Sequence, residues 1–219
     1  MSERVCPWWM GYLLASPVRR LLQDPEEIVK PYVTEGMSAL DAGCGMGFFS
    51  LPLAKLVGDA GKVVCVDLQE QMIKGLVRRA EKAGLSNRID ARVCRKDSLG
   101  VSDIAGKIDF ALIFALAHEV PDKKKLFSEV YGTMKRTGKL LLAEPRGHVS
   151  RLDFDKTVAF AQCAGFEVSG DLKIRRSRAI LFRLRNEKMN EKQGIREWVK
   201  ADNTGAKEKS RNEQSLKRP

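Results

Sequence analysis

From Met37 onward, short apolar runs of strand-like composition alternate with longer segments in which apolar residues recur at helical spacing. The predicted strands are Ser38 to Ala42, Lys62 to Asp67, Ile89 to Cys94, Asp109 to Ala115 and Gly138 to Glu144. The predicted helices are Phe48 to Val57, Gln69 to Ala83, Asp122 to Met134 and Arg151 to Ala164. This alternation is typical of parallel βαβ units, in which right-handed crossovers place helices on both faces of one sheet.

Two further β-rich runs follow the last predicted helix with almost no chain between them. They are Phe166 to Ile174 and Ser177 to Leu184. Parallel strands need a crossover of about a dozen residues or more, whereas antiparallel strands can be joined by a short turn. We therefore predict an α/β fold with one seven-stranded, mostly parallel sheet, helices on both faces and an antiparallel last strand.

The segments on either side of this pattern differ from it in composition. Residues 1–33 carry helix-start signals at Ser16 and Asp24, each followed by proline, so we predict short helices ahead of the sheet. Residues 186–219 are polar and charged, and we predict a tail that is disordered or partly helical. The expected main domain is residues 34–185.

A glycine-rich turn joins the first predicted strand to the first long helix. Its glycines, Gly43, Gly45 and Gly47, stand at alternate positions. Glycine lets the backbone turn tightly and lets a ligand lie against the main chain, where a β-carbon would clash. A dinucleotide-binding turn needs G-x-G-x-x-G, and Phe48 stands where its third glycine would be. The spacing therefore favours a ligand without a pyrophosphate.

The pattern Asp41-x-Gly43-x-Gly45-x-Gly47, with Asp67 at the end of the second predicted strand, resembles motifs of class I S-adenosylmethionine-dependent methyltransferases. The resemblance implies a Rossmann-like sheet of strand order 3-2-1-4-5-7-6 and S-adenosylmethionine as the cofactor. Asp67 stands where the family places an acidic residue against the ribose hydroxyls. A carboxylate suits that role because it can accept two hydrogen bonds from a cis-diol.

Later segments resemble the same family in order and kind, from about Pro31 to Leu184. The stretch after the third predicted strand resembles the one that contacts adenine, and Asp97 is the expected acceptor for the exocyclic amine. The resemblance implies these cofactor-binding residues: Asp41, Gly43, Cys44, Gly45, Gly47, Asp67, Leu68, Asp97, Ser98 and Phe114. The most similar branch is the small-molecule one, which includes quinone-biosynthesis and arsenite methyltransferases.

Two histidines and two glutamates fall at the predicted carboxyl edge of the sheet, where open α/β sheets bind their ligands. His118 follows the fourth predicted strand and His148 the fifth, and either could take a proton from a hydroxyl, thiol or amine acceptor. Both could instead serve only the packing of their loops. Glu119, a candidate substrate residue, and Glu144 lie on this edge and could equally hold a loop in place.

The first residues of the chain are unusually aromatic. Methyltransferases of this family often carry a lid ahead of the first strand, so residues 1–33 are the candidate lid and Trp8, Trp9 and Tyr12 the candidate wall of an acceptor site. Ordinary packing against the helices of the sheet is an alternative. A membrane-surface contact is another, and a hydrophobic acceptor would suit either a lid or that contact.

The net charge and the cysteine content bear on the cellular compartment of the protein, but they do not identify a binding partner. The net charge of +11 permits an anionic partner, but the basic residues are scattered in clusters that each could be a solvated face. The five cysteines include no CxxC pair, which favours reduced thiols in a cytoplasm and no metal site. The apolar run near the N-terminus is too short to span a bilayer and does not resemble a signal peptide.

We therefore expect a methyltransferase, an enzyme that acts on a small molecule with an apolar or aromatic portion. Methylation of RNA or protein is an open alternative because of the basic clusters. Nucleic acid is not the favoured partner, since the sequence has no Asn-Pro-Pro-Tyr or Asp-Pro-Pro-Tyr signature and no RRM or KH pattern. A regulator that binds the cofactor without turnover is the other alternative, and the sequence predicts no oligomeric state.

Overall fold

The computed structural model describes residues 23–185. The strands in this range are β1 Ser38–Ala42, β2 Lys62–Asp67, β3 Ile89–Val93, β4 Ile108–Phe114, β5 Met134–Pro145, β6 Phe166–Leu172 and β7 Ser177–Leu184. The helices are α1 Pro25–Val29, α2 Ser50–Leu56, α3 Glu70–Lys82, α4 Lys123–Thr133 and α5 Arg151–Cys163, with short 3-10 turns at Ser86–Arg88 and Ser102–Ile104. The predicted strands and helices from Ser38 to Leu184 are therefore all present.

The seven strands form one sheet in the order β3-β2-β1-β4-β5-β7-β6. Strands β1 to β5 pair in parallel, and β7 pairs antiparallel with both β5 and β6. The predicted order and the antiparallel last strand are confirmed. Because β7 runs against its neighbours, the turn between β6 and β7 lies at the same edge of the sheet as the carboxyl ends of β1 to β5.

Strand β5 starts earlier than the predicted Gly138. The chain leaves α4 directly into the sheet, and Met134 pairs with Ile108 before an irregularity shifts the register. The sequence pattern missed this start because Lys135 to Thr137 are polar and lie at the entrance of the strand, outside the apolar core.

Apolar side chains cover both faces of the sheet, as expected for a sheet sandwiched between helices. One face is packed with residues of β1, β2 and β4 and with α2 and α3, including Ala39, Cys65, Leu53 and Leu76. The opposite face is packed against α4 and α5. Its fully buried aromatic residues include Phe127, Phe166 and Phe182.

Side chains at the helix starts satisfy free backbone N–H groups. Asp24 accepts from the amide of Glu26 at the start of α1, as its sequence pattern predicts. Asp122 accepts from the amide of Lys125 at the start of α4, and the hydroxyl of Ser150 accepts from Asp153 at the start of α5.

Some predictions concern parts of the chain that the structure does not describe. The helix start at Ser16, most of the 1–33 segment and the 186–219 tail lie outside residues 23–185. The chain divides into compact units at Leu184 and Arg185, so all seven strands belong to the first. Among the described residues, no helix is both long and apolar enough to cross a membrane.

Candidate functional site

The candidate site lies at the carboxyl edge of the sheet, where β1 is flanked by β2 and β4. Strand order changes direction between β1 and β4, and the loops after these two strands diverge to opposite faces. Such a switch point leaves a crevice that commonly binds a ligand in open α/β sheets. The glycine turn follows β1 at this position, and the His118 loop follows β4.

Backbone hydrogen bonds fix the glycine turn against the end of β2. The amides of Gly43 and Cys44 both donate to the carbonyl of Val66, at 2.8 and 3.1 Å. The amide of Gly45 donates to Asp67 Oδ2 at 2.9 Å. The φ angles of the three glycines are positive, a conformation that other residues adopt only with strain.

The three glycines differ in what surrounds them. A β-carbon at Gly43 would come within 2.8 Å of Leu116, and one at Gly47 within 2.5 Å of Leu76, so these glycines allow close packing of protein on protein. A β-carbon at Gly45 would meet no protein atom within 4 Å. Gly45 is therefore the point where bare main chain faces open space, as a cradle for a ligand requires.

The carboxylate of Asp67 is held by main-chain donors on both oxygens. Oδ2 accepts from Gly45 and Oδ1 accepts from the amide of Gln69 at 2.9 Å. Burial raises the pKa of Asp67, and these backbone hydrogen bonds oppose the rise. The amide of Leu68 also lowers the pKa of Asp67 through a hydrogen bond. A carboxylate has about four acceptor positions, so Asp67 can still accept from a hydroxyl beside these three amides.

Asp41 lies beneath the turn rather than at its surface. Its side chain is 2% exposed, and Oδ2 accepts from the hydroxyl of Ser50, the first residue of α2, at 2.6 Å. Burial raises the pKa of Asp41 to about 7, with a smaller contribution from the charge of Asp67. Asp41 thus ties the end of β1 to the helix that leaves the turn.

The other predicted cofactor residues lie around the same edge. Cys44 and Phe114 are buried, and Phe114 packs against Phe49 with ring centroids 4.5 Å apart. Leu68 and Ser98 are half-buried. Asp97 is exposed and pairs with Arg95 at 3.2 Å in the turn after β3. Their contacts with a cofactor stay predictions.

His118 and Glu144 form a hydrogen-bonded pair at the same carboxyl edge of the sheet, the first in the loop after β4 and the second near the end of β5. Nδ1 of His118 lies 2.5 Å from Glu144 Oε2, and the amide of Ala117 donates to Oε1 at 2.7 Å. The Glu144 side chain is 1% exposed and that of His118 is 25% exposed. This hydrogen bond raises the pKa of His118, while partial burial opposes the rise. The second ring nitrogen, Nε2, lies 3.9 Å from Glu119 Oε1.

The sequence predicts that both residues of this pair lie at the carboxyl edge of the sheet, but it does not predict the hydrogen bond between them. The available signal is strand alternation: Glu144 shares the parity of Leu140 and Leu142, whose side chains are in the core. A carboxylate at such a position requires a partner. The loop that supplies the partner begins at Ala115, whose φ of 56° is unusual for a residue other than glycine.

The remaining acceptor candidates are placed differently. His148 is exposed, and its ring centroid lies 6.3 Å from that of His118. Glu119 is half-buried, with Oε1 3.9 Å from His118 Nε2. Trp8, Trp9 and Tyr12 lie outside the described residues. His118, Glu119 and His148 are thus brought together, and each stays a predicted rather than a demonstrated acceptor residue.

Residues 33–197 match the profile of a family described as a methyltransferase domain. Among curated proteins, the ubiquinone biosynthesis O-methyltransferase of Methylocella silvestris is 34% identical over 119 residues, 54% of this chain and 43% of that protein. The ubiquinone/menaquinone biosynthesis C-methyltransferase UbiE of Escherichia coli is 29% identical over 112 residues, 51% of this chain and 44% of that protein. The matches span less than half the length of these relatives.

A solved structure with the same fold is that of a SAM-dependent methyltransferase from Aquifex aeolicus. Its TM-score is 0.73 with 22% sequence identity, over 82% of this chain and all of that one. This likeness concerns the arrangement of the sheet and its helices. The family match, the fold and the glycine turn agree with one another.

Proposed function

Because this chain belongs to the class I S-adenosylmethionine-dependent methyltransferases, we propose that it moves a methyl group from that cofactor to a small molecule with an apolar or aromatic portion. When bound, S-adenosylmethionine supplies a methyl group on a positively charged sulfur. Transfer to a hydroxyl or thiol yields S-adenosylhomocysteine, the methylated product and one proton. The chain must therefore hold the cofactor, align the acceptor and accept that proton.

One observation carries the proposal: Gly45 presents open main chain directly beside the carboxylate of Asp67. Gly45 and Asp67 are joined by a hydrogen bond, so the cradle and the expected ribose partner are held together before any ligand arrives. Gly43 and Gly47 in the same turn differ from Gly45, because a β-carbon there would strike a neighbouring side chain. The residues present thus fit the cofactor that the family uses.

We assign the proton to Nε2 of His118. Glu144 holds the other nitrogen, which fixes the ring and favours the tautomer with its proton on Nδ1. Nε2 of the neutral ring is then an acceptor directed away from the buried carboxylate. A hydroxyl or thiol presented there would lose its proton to His118 as the new bond forms.

The class of acceptor follows in part from the relatives. Their names specify transfer to oxygen in one case and to carbon in the other, both in quinone biosynthesis. A histidine base suits an oxygen or sulfur acceptor that carries a proton, so we favour those over carbon. Trp8, Trp9 and Tyr12 in a 1–33 lid are our proposed apolar wall, because they precede α1 in the chain.

We propose a cytoplasmic setting. Cys44, Cys65, Cys94 and Cys163 are free thiols, and burial raises the pKa values of Cys44 and Cys65 well above the usual range. Such thiols stay protonated and unreactive. This protonation also disfavours an arsenic-binding role for them, since a soft metalloid is held by thiolates.

Calorimetric titration with S-adenosylmethionine, with NADH in parallel, tests the proposed cofactor. Replacing Asp67 with alanine should weaken S-adenosylmethionine binding by about 1 to 3 kcal/mol, because charge-assisted hydrogen bonds to the ribose are lost. Glu70→Ala, an exposed carboxylate in the next helix, is the matched control and should bind normally. Binding of NADH alone, or equal affinities in the two variants, would overturn the assignment.

A further inference from the structure

Four arginines surround the carboxyl end of β5, beside the His118–Glu144 pair. Arg146 follows the strand, Arg175 and Arg176 form the turn between β6 and β7, and Arg178 pairs with Glu144 across the strands. The amide of Arg146 donates to the carbonyl of Arg176 at 2.9 Å, which joins the two loops. These residues are therefore neighbours although they are separated by about thirty positions in the chain.

Two of the four side chains are held in place by main-chain carbonyls. Arg146 Nε donates to the carbonyl of Ser177 at 3.0 Å, and Arg178 Nη1 donates to that of Val149 at 2.6 Å. A guanidinium has five N–H donors, so each keeps several for another partner. Both guanidinium groups are thus held in a defined orientation, and each keeps N–H donors that these hydrogen bonds do not occupy.

None of the four forms an ion pair with a carboxylate among residues 23–185. Other arginines in that range do pair with carboxylates, namely Arg88, Arg92, Arg95, Arg151 and Arg183. Arg178 is also half-buried. A cation that is partly removed from water without a counter-ion carries a desolvation cost, which a bound anion would offset.

The cluster borders the place where the acceptor must sit. The short turn from Pro145 to Val149 holds Arg146, accepts the bond from Arg178 and carries His148, whose ring lies 6.3 Å from His118. The same turn leaves β5 directly after Glu144. An acceptor whose proton faces His118 would therefore lie beside the turn that holds Arg146 and binds Arg178.

We propose that Arg146 and Arg178, with Arg175 and Arg176 at the rim, bind an anionic group of the acceptor, a carboxylate or a phosphate monoester. This inference rests on the proposed function, and it narrows the substrate class to acids that also carry a hydroxyl or thiol. The planar fork of arginine matches both anions in geometry. The cluster surrounds one strand end instead of following a stripe, which favours a single anionic group over a nucleic-acid backbone.

The test uses the full-length protein saturated with S-adenosylhomocysteine, with the arginine Nε–H signals followed by NMR. Benzoate, phenyl phosphate and the neutral benzamide are titrated separately. We expect at least one of the two anions to shift the signals of Arg146 and Arg178 saturably, while benzamide does not. The relative affinities of benzoate and phenyl phosphate distinguish a carboxylate site from a phosphate site.

Arg146→Gln and Arg178→Gln should each lower the affinity for the anion about tenfold, because each removes one charge-assisted contact. Arg183→Gln is the matched control, since Arg183 is an exposed arginine of β7 that pairs with Glu167. Arg178 lies in β7, so Arg178→Gln could unfold the protein. Arg146 lies outside the strands, so Arg146→Gln still tests the anion site in that case.

Shifts that do not saturate for either anion, or that are equal at Arg183, would overturn the anion site. If S-adenosylhomocysteine still binds in that case, the proposed methyltransferase function is unaffected. Failure of the cofactor to bind would instead remove the proposed function and the basis for an acceptor site together.

Discussion

Gly45 allows the proposed ligand-binding role of the glycine turn to be tested separately from its structural role. Its positive φ and open surroundings are shared by Gly106, which lies in the loop before β4. An added methyl group imposes a similar backbone strain at both positions. Only at Gly45 would that methyl group also occupy the space of the proposed cofactor.

We therefore expect Gly45→Ala to weaken S-adenosylmethionine binding far more than Gly106→Ala, at similar losses of melting temperature. Calorimetry and thermal unfolding on the same samples provide the two measurements. Equal effects of the two substitutions on cofactor affinity would show that the turn is only a structural feature.

The pair of His118 and Glu144 predicts a pKa that can be measured directly. The hydrogen bond that His118 donates to Glu144 raises the pKa of His118 above 6.5, and Glu119 acts in the same direction, while partial burial and Lys123 oppose it. Glu144→Gln should therefore lower the pKa of His118. The chain has two histidines, so NMR titration of the imidazole signals, with His148→Gln for assignment, resolves both.

The sign of the associated stability effect is fixed by the direction of this shift. A histidine whose pKa is raised on folding stabilises the fold fully below 6.5, and that contribution is lost as pH rises through the folded pKa. The neutral ring that can accept a proton exists above the same pKa. An unchanged pKa in Glu144→Gln would mean that Glu144 holds only the loop.

At the residue scale, the sequence predicted local features better than distant contacts. The positions of the glycine turn and of Asp67 could be predicted because both lie at the carboxyl ends of two consecutive strands, β1 and β2, whose apolar runs are plain in the sequence. The bond between His118 and Glu144 spans 26 positions and depends on strand register and on the unusual backbone at Ala115. Neither property is visible in a pattern of apolar and polar residues.

Among the elements, α4 follows the His118 loop directly and its start helps to define that loop. Asp122 accepts from the amide of Lys125 at 2.9 Å and so satisfies one free donor of the helix. Asp122→Ala should lower the free energy of unfolding by about 1 kcal/mol, as for other lost N-caps. Lys124→Ala, exposed on the same helix, should change it little, and denaturant unfolding measures both.

Element boundaries were predictable where apolar runs coincide with strands. Ser38–Ala42 and Lys62–Asp67 agree with the predicted ends, because both strands are buried almost throughout. Strand β5 begins four residues before the predicted Gly138, with polar residues that pair at the rim of the sheet. Backbone pairing continues there without apolar burial, so periodicity gives no signal.

For the whole molecule, Asp41 links folding to pH. Burial raises the pKa of Asp41 from 3.8 to about 7, so between these values the folded protein binds a proton that the unfolded chain releases. Stability should therefore fall as pH rises across that window. Asp41→Asn should flatten this slope, whereas Asp155→Asn, at an exposed position on α5, should not.

Urea unfolding at a series of pH values across the window tests this expectation. The rise in the pKa of Asp67 has the same sign, so some slope should remain in Asp41→Asn. A slope identical to that of the unaltered protein would show that Asp41 stays ionised when folded.

For the sheet as a whole, the directions of the strands could be predicted from the links between them, whereas the strand order was implied by the resemblance to class I methyltransferases. Long helical crossovers require parallel strands, and the short link before Ser177 requires an antiparallel one. The arginine cluster could not be predicted, since Arg146 and Arg178 meet only when β7 is placed beside β5. A sequence shows that these residues are basic, whereas only the sheet shows that they are neighbours.

The hydrogen bond from Gly45 to Asp67 gives the protein a natural spectroscopic probe. An amide proton directed at a carboxylate resonates away from the crowded region of a spectrum and responds to any change in that carboxylate. Hydroxyls bound to Asp67 would draw charge from the same oxygens and move the signal. One resonance, needing neither a label on the ligand nor a known acceptor, would then report how much of the protein holds its cofactor.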